Sequence, residues 1–127
     1  SDAALNDSDK LFTVPAGTEW EAFFIMASLI STATVGNRQM RMEIGDGSTL
    51  FWFKQWTPTQ AASLTRTYYA GPNLPDDAAF DAGNRARMLF DQRGIILPAG
   101  WTIRVFDAAG IAAAADDLTV QILGRER

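Results

Sequence analysis

Two near copies of one turn-plus-strand unit frame this chain. Val14-Pro15-Ala16-Gly17 leads into Thr18-Glu19-Trp20-Glu21-Ala22-Phe23-Phe24, and Leu97-Pro98-Ala99-Gly100 leads into Trp101-Thr102-Ile103-Arg104-Val105-Phe106-Asp107. In each, an apolar residue ends one extended segment, Pro fixes φ for a turn, and Gly supplies a backbone conformation that a Cβ resists. A new strand then begins. After Gly100, Trp101, Ile103 and Val105 alternate with Thr102 and Arg104, which makes one face apolar and the other wet.

The same period of two recurs along the chain. Residues 10–14 form a short strand ending at the first Pro-Ala-Gly turn. Residues 18–31 form a long one, with apolar side chains on both faces at Phe23, Phe24, Ile25 and Met26, the mark of a strand covered on two sides. Arg38, Met40, Met42 and Ile44 alternate with Gln39, Arg41 and Glu43, and Gly45-Asp46-Gly47-Ser48 then offers the positive-φ residues of a hairpin turn. Residues 49–54 return antiparallel, but in Leu50-Phe51-Trp52-Phe53 the alternation breaks and both faces carry large apolar groups. One face can meet the core; the other requires a second cover. Residues 55–60, with Trp56 and Pro58, read as a loop, and residues 61–69, 87–91 and 95–97 as strands. Residues 75–83 read as a short helix from Pro at the start, acids in the first turn and Gly past the end, an irregular loop being the alternative. Alanine-rich residues 108–117 form a connection, and Leu118, Val120 and Ile122 alternate with Thr119 and Gln121 in a last strand.

These readings predict an all-β fold: an antiparallel two-sheet sandwich of about eight strands, jelly-roll-like, with at most one or two short helices in loops. An immunoglobulin-like sandwich is the alternative. Trp20, Met40, Met42, Ile44, Trp101, Ile103, Val105, Leu118, Val120 and Ile122 are expected in the core. Arg41, Glu43, Thr102, Arg104 and Gln121 are expected outside or at a subunit contact. At 127 residues the chain has the length of one domain, here residues 10–127, preceded by a polar, flexible arm at residues 1–9 in which Leu5 is the sizeable apolar side chain.

Composition narrows the chemistry. Eleven basic against fifteen acidic residues give a net charge of −4, unlike the basic footprint of a protein that binds nucleic acid or an anionic membrane surface. The chain contains neither Cys nor His, which removes disulfides, thiolate nucleophiles, the commonest general base and the commonest transition-metal ligands. No enzyme activity, cofactor or metal is therefore expected. The apolar run at residues 22–30 is too short to span a bilayer as a helix and no secretory leader pattern opens the chain, so a soluble protein is expected. The acid pairs Asp76-Asp77 and Asp116-Asp117 read as loop caps or solvated turns before they read as a cation site. Trp52, Trp56, Tyr68, Tyr69 and Trp101 could stack on a sugar, but aromatics also fill sandwich cores and protein interfaces. Nine arginines against two lysines favour protein contacts, because Arg makes forked carboxylate pairs where Lys keeps its water.

Val14-Pro15-Ala16-Gly17 with Thr32-Ala33-Thr34-Val35-Gly36-Asn37-Arg38-Gln39-Met40, Ile96-Leu97-Pro98-Ala99-Gly100-Trp101-Thr102-Ile103-Arg104-Val105 with Ala115-Asp116-Asp117, and Gln60-Ala61-Ala62-Ser63-Leu64-Thr65-Arg66 together resemble small β-sandwich structural proteins of tailed bacteriophage virions. The resemblance covers most of the chain from Lys10 onward. It implies a capsid decoration (cement) protein, made in the host cytoplasm and bound to the outer surface of the head. Its partners would be the major capsid protein and copies of itself as a homotrimer, with no nucleic acid and no membrane. Tail or fibre attachment, or a lectin-like carbohydrate-binding module of the virion, is the alternative. Phe51, Phe53, Trp56, Tyr69 and Leu5 are the residues expected at the oligomer or capsid interface.

Overall fold

The computed structural model describes residues 2, 7–72, 74, 84–89 and 94–127. Nine strands run in the order β1 (Asp9–Thr13), β2 (Trp20–Ile30), β3 (Met40–Gly45), β4 (Leu50–Gln55), β5 (Thr65–Gly71), β6 (Arg85–Leu89), β7 (Ile95–Leu97), β8 (Thr102–Asp107) and β9 (Asp117–Glu126). No helix occurs among the described residues; the segment read as a short helix at residues 75–83 lies outside them. One sheet has the order β1-β8-β3-β4. In the other, β2 is central: it pairs with β9 along one side, and with β5 and then β7 along the other, while β6 continues outward from β5.

The two sheets form a sandwich because their alternating apolar residues meet. Met40, Met42, Ile44, Ile103 and Val105 of the four-stranded sheet pack with Ile25, Ala27, Leu29, Tyr68, Ala70, Ala86, Met88, Leu118 and Val120 of the five-stranded one. Trp20, Trp101 and Ile122 are partly buried against this core. In β2 an extra residue, Phe23, shifts the register against β9 between Ala22 and Phe24. The bulge explains the apolar residues on both faces: Ala22 and Ile25 are both buried, while Phe24 turns to the outside and meets Tyr69, ring centroids 5.9 Å apart.

Two expectations are corrected. The sheets are not antiparallel throughout, because β5 and β6 pair in parallel, from Thr67↔Arg85 to Gly71↔Leu89. Thr102 is not on a wet face but buried, its Oγ1 donating to the Gly45 carbonyl at 3.2 Å where β8 meets the end of β3. Described positions of the arm at residues 1–9 meet the body of the sandwich. Asp2 exchanges backbone hydrogen bonds with Val120, the Ser8 amide donates to Ala113, and Lys10 is buried with its Nζ 3.1 Å from Asp7 and 3.6 Å from Asp2.

Buried polar groups lock the loops at one end of the sandwich. Arg38 and Asp116 are both fully buried and form a forked ion pair, and Thr32 donates to Asp116 from both its amide and its hydroxyl. Beside them Gln60 donates to the carbonyls of Leu29 and Leu64 and accepts from the Tyr68 hydroxyl at 2.9 Å. Burial pushes the Tyr68 phenol up to about 12, although Arg66 opposes the shift.

Candidate binding surface

The hairpin that presents β4 is set by its turn. Asp46 Oδ1 accepts from the amides of Thr49 at 2.7 Å and Ser48 at 2.9 Å, and Gly47 takes φ +90°. Those two amides hold the Asp46 carboxyl below its ordinary range. Above the turn the β3–β4 register shifts between Ile44 and Gly45, and β4 then runs as the free edge of its sheet.

Every residue of β4 is exposed. Leu50, Phe51, Trp52 and Phe53 retain 49%, 46%, 39% and 50% of their accessible surface, so four consecutive large apolar side chains meet solvent on one edge strand. Cross-strand pairing assigns their faces. Trp52 and Lys54 lie beside Ile44 and Met42 on the core-facing side, and Phe53 and Gln55 lie beside Glu43 and Arg41 on the outer side. Two of the rings have a supporting neighbour: Phe51, left without a β3 partner by the register shift, tilts against Trp101 at 4.7 Å, and the Arg41 guanidinium sits 4.5 Å from the Phe53 ring centre. Arg41 also donates twice to Gln55 Oε1, at 2.7 and 3.0 Å. Lys54, the sole charge of β4, is drawn across the sandwich, where its Nζ donates to the Leu89 carbonyl at 2.9 Å.

Three other edge strands carry charge, whereas the short β7 (Ile95–Leu97), which pairs only with β2, carries none. β1 carries Asp9, held by Arg104 at 2.6 and 2.9 Å; β6 carries Arg85 and Arg87; and β9 ends in Arg125 and Glu126. Charges on an edge strand oppose pairing with a further strand, and β4 lacks that protection over its first four residues.

The five residues expected at an interface do not form one surface. Phe51 and Phe53 share the β4 edge. Trp56 is a correction: it is fully buried, its indole N–H donating to the Tyr69 carbonyl at 2.9 Å and its ring meeting Tyr68 edge-on at 5.4 Å. Tyr69 is half-buried on the outer face of the opposite sheet beside Phe24, and Leu5 lies outside the described residues. Leu50 and Trp52 belong to the exposed strip and were not among the five. The signal for them was the broken alternation itself, since an edge strand exposes both of its faces. Burial of Trp56 and Tyr68 also divides the aromatic set that could have stacked on a sugar.

Asp116 is engaged with Arg38 and Thr32, and Asp76 and Asp77 lie outside the described residues. Among the described residues no three His, Cys, Asp or Glu side chains group so as to hold a metal ion.

The chain is an all-β sandwich with four consecutive exposed apolar residues on the β4 edge. Comparisons with protein-family models, with curated proteins and with solved structures find no match for this chain.

Proposed function

We propose that this chain is a non-enzymatic structural protein of a tailed-phage virion, a decoration (cement) protein that binds the outside of the head and adds contact area across joints between capsid subunits. The observation that carries a binding role is β4, a strand of consecutive half-exposed apolar residues on a rigid sandwich. Such a strip supplies contact area without reactive side chains, and burial of each aromatic contributes on the order of 1–2 kcal/mol before entropy is subtracted. The virion assignment rests on the resemblance of the framework segments. Those segments also build the locked end of the sandwich: residues 32–40, 60–66 and 115–117 contain Thr32, Arg38, Gln60 and Asp116, whose hydrogen bonds fasten the loops. A protein that resists strain between its neighbours benefits from loops that do not yield.

The partners in this reading are the major capsid protein and copies of the chain itself. Purified protein is mixed with undecorated heads and, separately, with isolated tails, and the bound fraction is measured by sedimentation. Saturable binding to heads at a copy number in proportion to the capsid subunits, weakened by Phe51→Ser or Phe53→Ser, is the expected result. Binding to tails and not to heads moves the assignment to tail attachment, and binding to neither overturns it.

A further inference from the structure

We infer that the Asp46–Gly47 bond at the tip of the β3–β4 hairpin is a covalent modification site, where the chain isomerises spontaneously to an isoaspartyl linkage that disturbs the display of β4. This goes beyond the proposed function and holds whatever the strand binds.

The sequence offers the reaction one favoured place. Asp46 is the only Asp or Asn of the chain that is followed by Gly. Isomerisation begins when a main-chain nitrogen attacks the side-chain carboxyl of the residue before it, and a side chain on the attacking residue obstructs that approach. Gly has none.

The turn leaves that nitrogen open. Residues 46–49 are exposed, and a Cβ built on Gly47 would meet nothing within 4 Å. The amides around it are engaged: that of Asp46 donates to the Thr49 carbonyl at 3.2 Å, and those of Ser48 and Thr49 donate to Asp46 Oδ1. Among the described residues the Gly47 amide finds no acceptor. Its nitrogen can therefore attack without first giving up a bond that holds the turn, while the bonds from Ser48 and Thr49 fold the carboxyl back along the turn in which that nitrogen lies.

The step balances with water alone. The Gly47 nitrogen bonds to Asp46 Cγ, and its proton departs with the carboxyl hydroxyl as water, closing a five-membered imide. Water then adds to the Asp46 main-chain carbonyl carbon, the bond from that carbon to the Gly47 nitrogen breaks, and the nitrogen regains a proton. Nothing is oxidised or reduced, and the mass is restored. The main chain now runs through Cβ and Cγ and is one atom longer, and the free carboxylate sits directly on Cα.

The neck of the hairpin has no room for that extra atom. Gly45 lies so close to Thr49 that even a Cβ would stand 2.4 Å from the Thr49 carbonyl oxygen, and the β3–β4 register already shifts between Ile44 and Gly45. The relocated carboxylate also forfeits its bonds from Ser48 and Thr49. The tip can react, but the strands below it must absorb the change. Those same two amides hold the carboxyl below its ordinary range, and ring closure uses the neutral acid, so the folded turn reacts more slowly than the same residues in a free peptide.

The purified chain and the free peptide Met42–Lys54, which is the tryptic fragment spanning the site, are incubated side by side in warm buffer near neutral pH. Samples are mapped by chromatography with electron-transfer mass spectrometry, which locates an isoaspartyl linkage without a mass change. A second Met42–Lys54 peak of unchanged mass is expected to grow in the folded chain, later than in the free peptide, with an intermediate lighter by one water. The peptides containing Asp9, Asp107 and Asp117 are expected to stay single. Absence of the second peak once the free peptide has converted overturns the site, and equal conversion at the other aspartates overturns its selectivity. Asp46→Glu, whose imide ring would be one atom larger, is expected to lose the peak; its persistence places the reaction elsewhere and also overturns the site. Hydrogen exchange on the aged fraction is expected to quicken in β3 and β4 while β2 and β9 keep their protection. Exchange identical to that of fresh protein overturns the effect on the hairpin.

Discussion

Arg38 grips Asp116 through two N–H···O bonds, Nε to Oδ2 at 2.7 Å and Nη2 to Oδ1 at 3.1 Å, and neither side chain reaches solvent. The second terminal nitrogen, Nη1, donates to the carbonyls of Thr34 at 2.9 Å and Gly36 at 2.8 Å. The cation is thus surrounded by acceptors, and its partner by donors from Thr32. Removing either charge strands the other in the interior. Arg38→Ala or Asp116→Ala is therefore expected to cost about 3–5 kcal/mol, read as a fall of roughly 10–20 °C in melting temperature. The double substitution Arg38→Met with Asp116→Leu is expected to lose less than either single change, as a calorimetric double-mutant cycle can show.

The same pair sets the acid limit. Burial raises the Asp116 pKa, but hydrogen bonds from Arg38 and Thr32 outweigh it and hold the carboxyl below its ordinary range. A group depressed in the folded state contributes stability that is present above its unfolded pKa and is lost as pH falls through the folded one. Denaturant midpoints measured down a pH series are expected to fall below about pH 4, where unfolded Asp binds its proton. In Asp116→Asn that part of the acid dependence is expected to disappear.

Tyr68 sets the opposite limit. Its phenol, pushed up to about 12 chiefly by burial, binds its proton more tightly in the folded chain than in the unfolded one. The associated stability is complete below the unfolded value near 10 and is lost as pH rises toward 12. Tyr68→Phe, which leaves Gln60 Oε1 without the hydroxyl that it accepts from, is expected to cost about 1–2 kcal/mol at neutral pH. It is also expected to flatten the alkaline limb of the stability curve.

Gly45 is where the display of β4 can be disturbed without touching an exposed residue. A Cβ there would lie 2.4 Å from the Thr49 carbonyl oxygen, which is backbone and cannot swing aside. Gly45→Ala is expected to destabilise by about 1–3 kcal/mol. Hydrogen exchange is expected to quicken in β3 and β4 before it does so in β2 and β9.

The core was readable because its strands keep strict alternation: Met40, Met42 and Ile44, Ile103 and Val105, and Leu118 and Val120 are all buried. The buried ion pair was written in the same phase. Arg38 falls in step with Met40 and Met42, and Asp116 in step with Leu118 and Val120, so each charge stood on an inward-facing position that demands a counter-charge. What local pattern cannot carry is the identity of a partner strand. The parallel pairing of β5 with β6 depends on a crossover through residues 72–84, and Thr102 is covered because Gly45 brings a backbone carbonyl to it. Trp56 follows a strand inside a stretch that reads as a surface loop, and only the Tyr69 carbonyl beneath it explains the inward turn of its indole. For the exposed strip, the broken alternation located the strand, and the edge position of β4 leaves it uncovered within the chain.

The pairing of β1 with β8 and of β2 with β9 joins segments near opposite ends of the sequence, with Asp9 against Phe106 and Trp20 against Glu126. A chain leaving the ribosome can close the β3–β4 hairpin early, but β2 lacks its longest partner until residues 117–126 have emerged. Sheets that wait for such distant partners pay their loop entropy before any contact rewards it, and they fold in milliseconds to seconds. During that interval Leu50-Phe51-Trp52-Phe53 is a finished apolar edge on an unfinished body. The rate of synthesis and the crowding of nascent chains therefore decide how often that edge meets another copy before the sandwich has closed behind it.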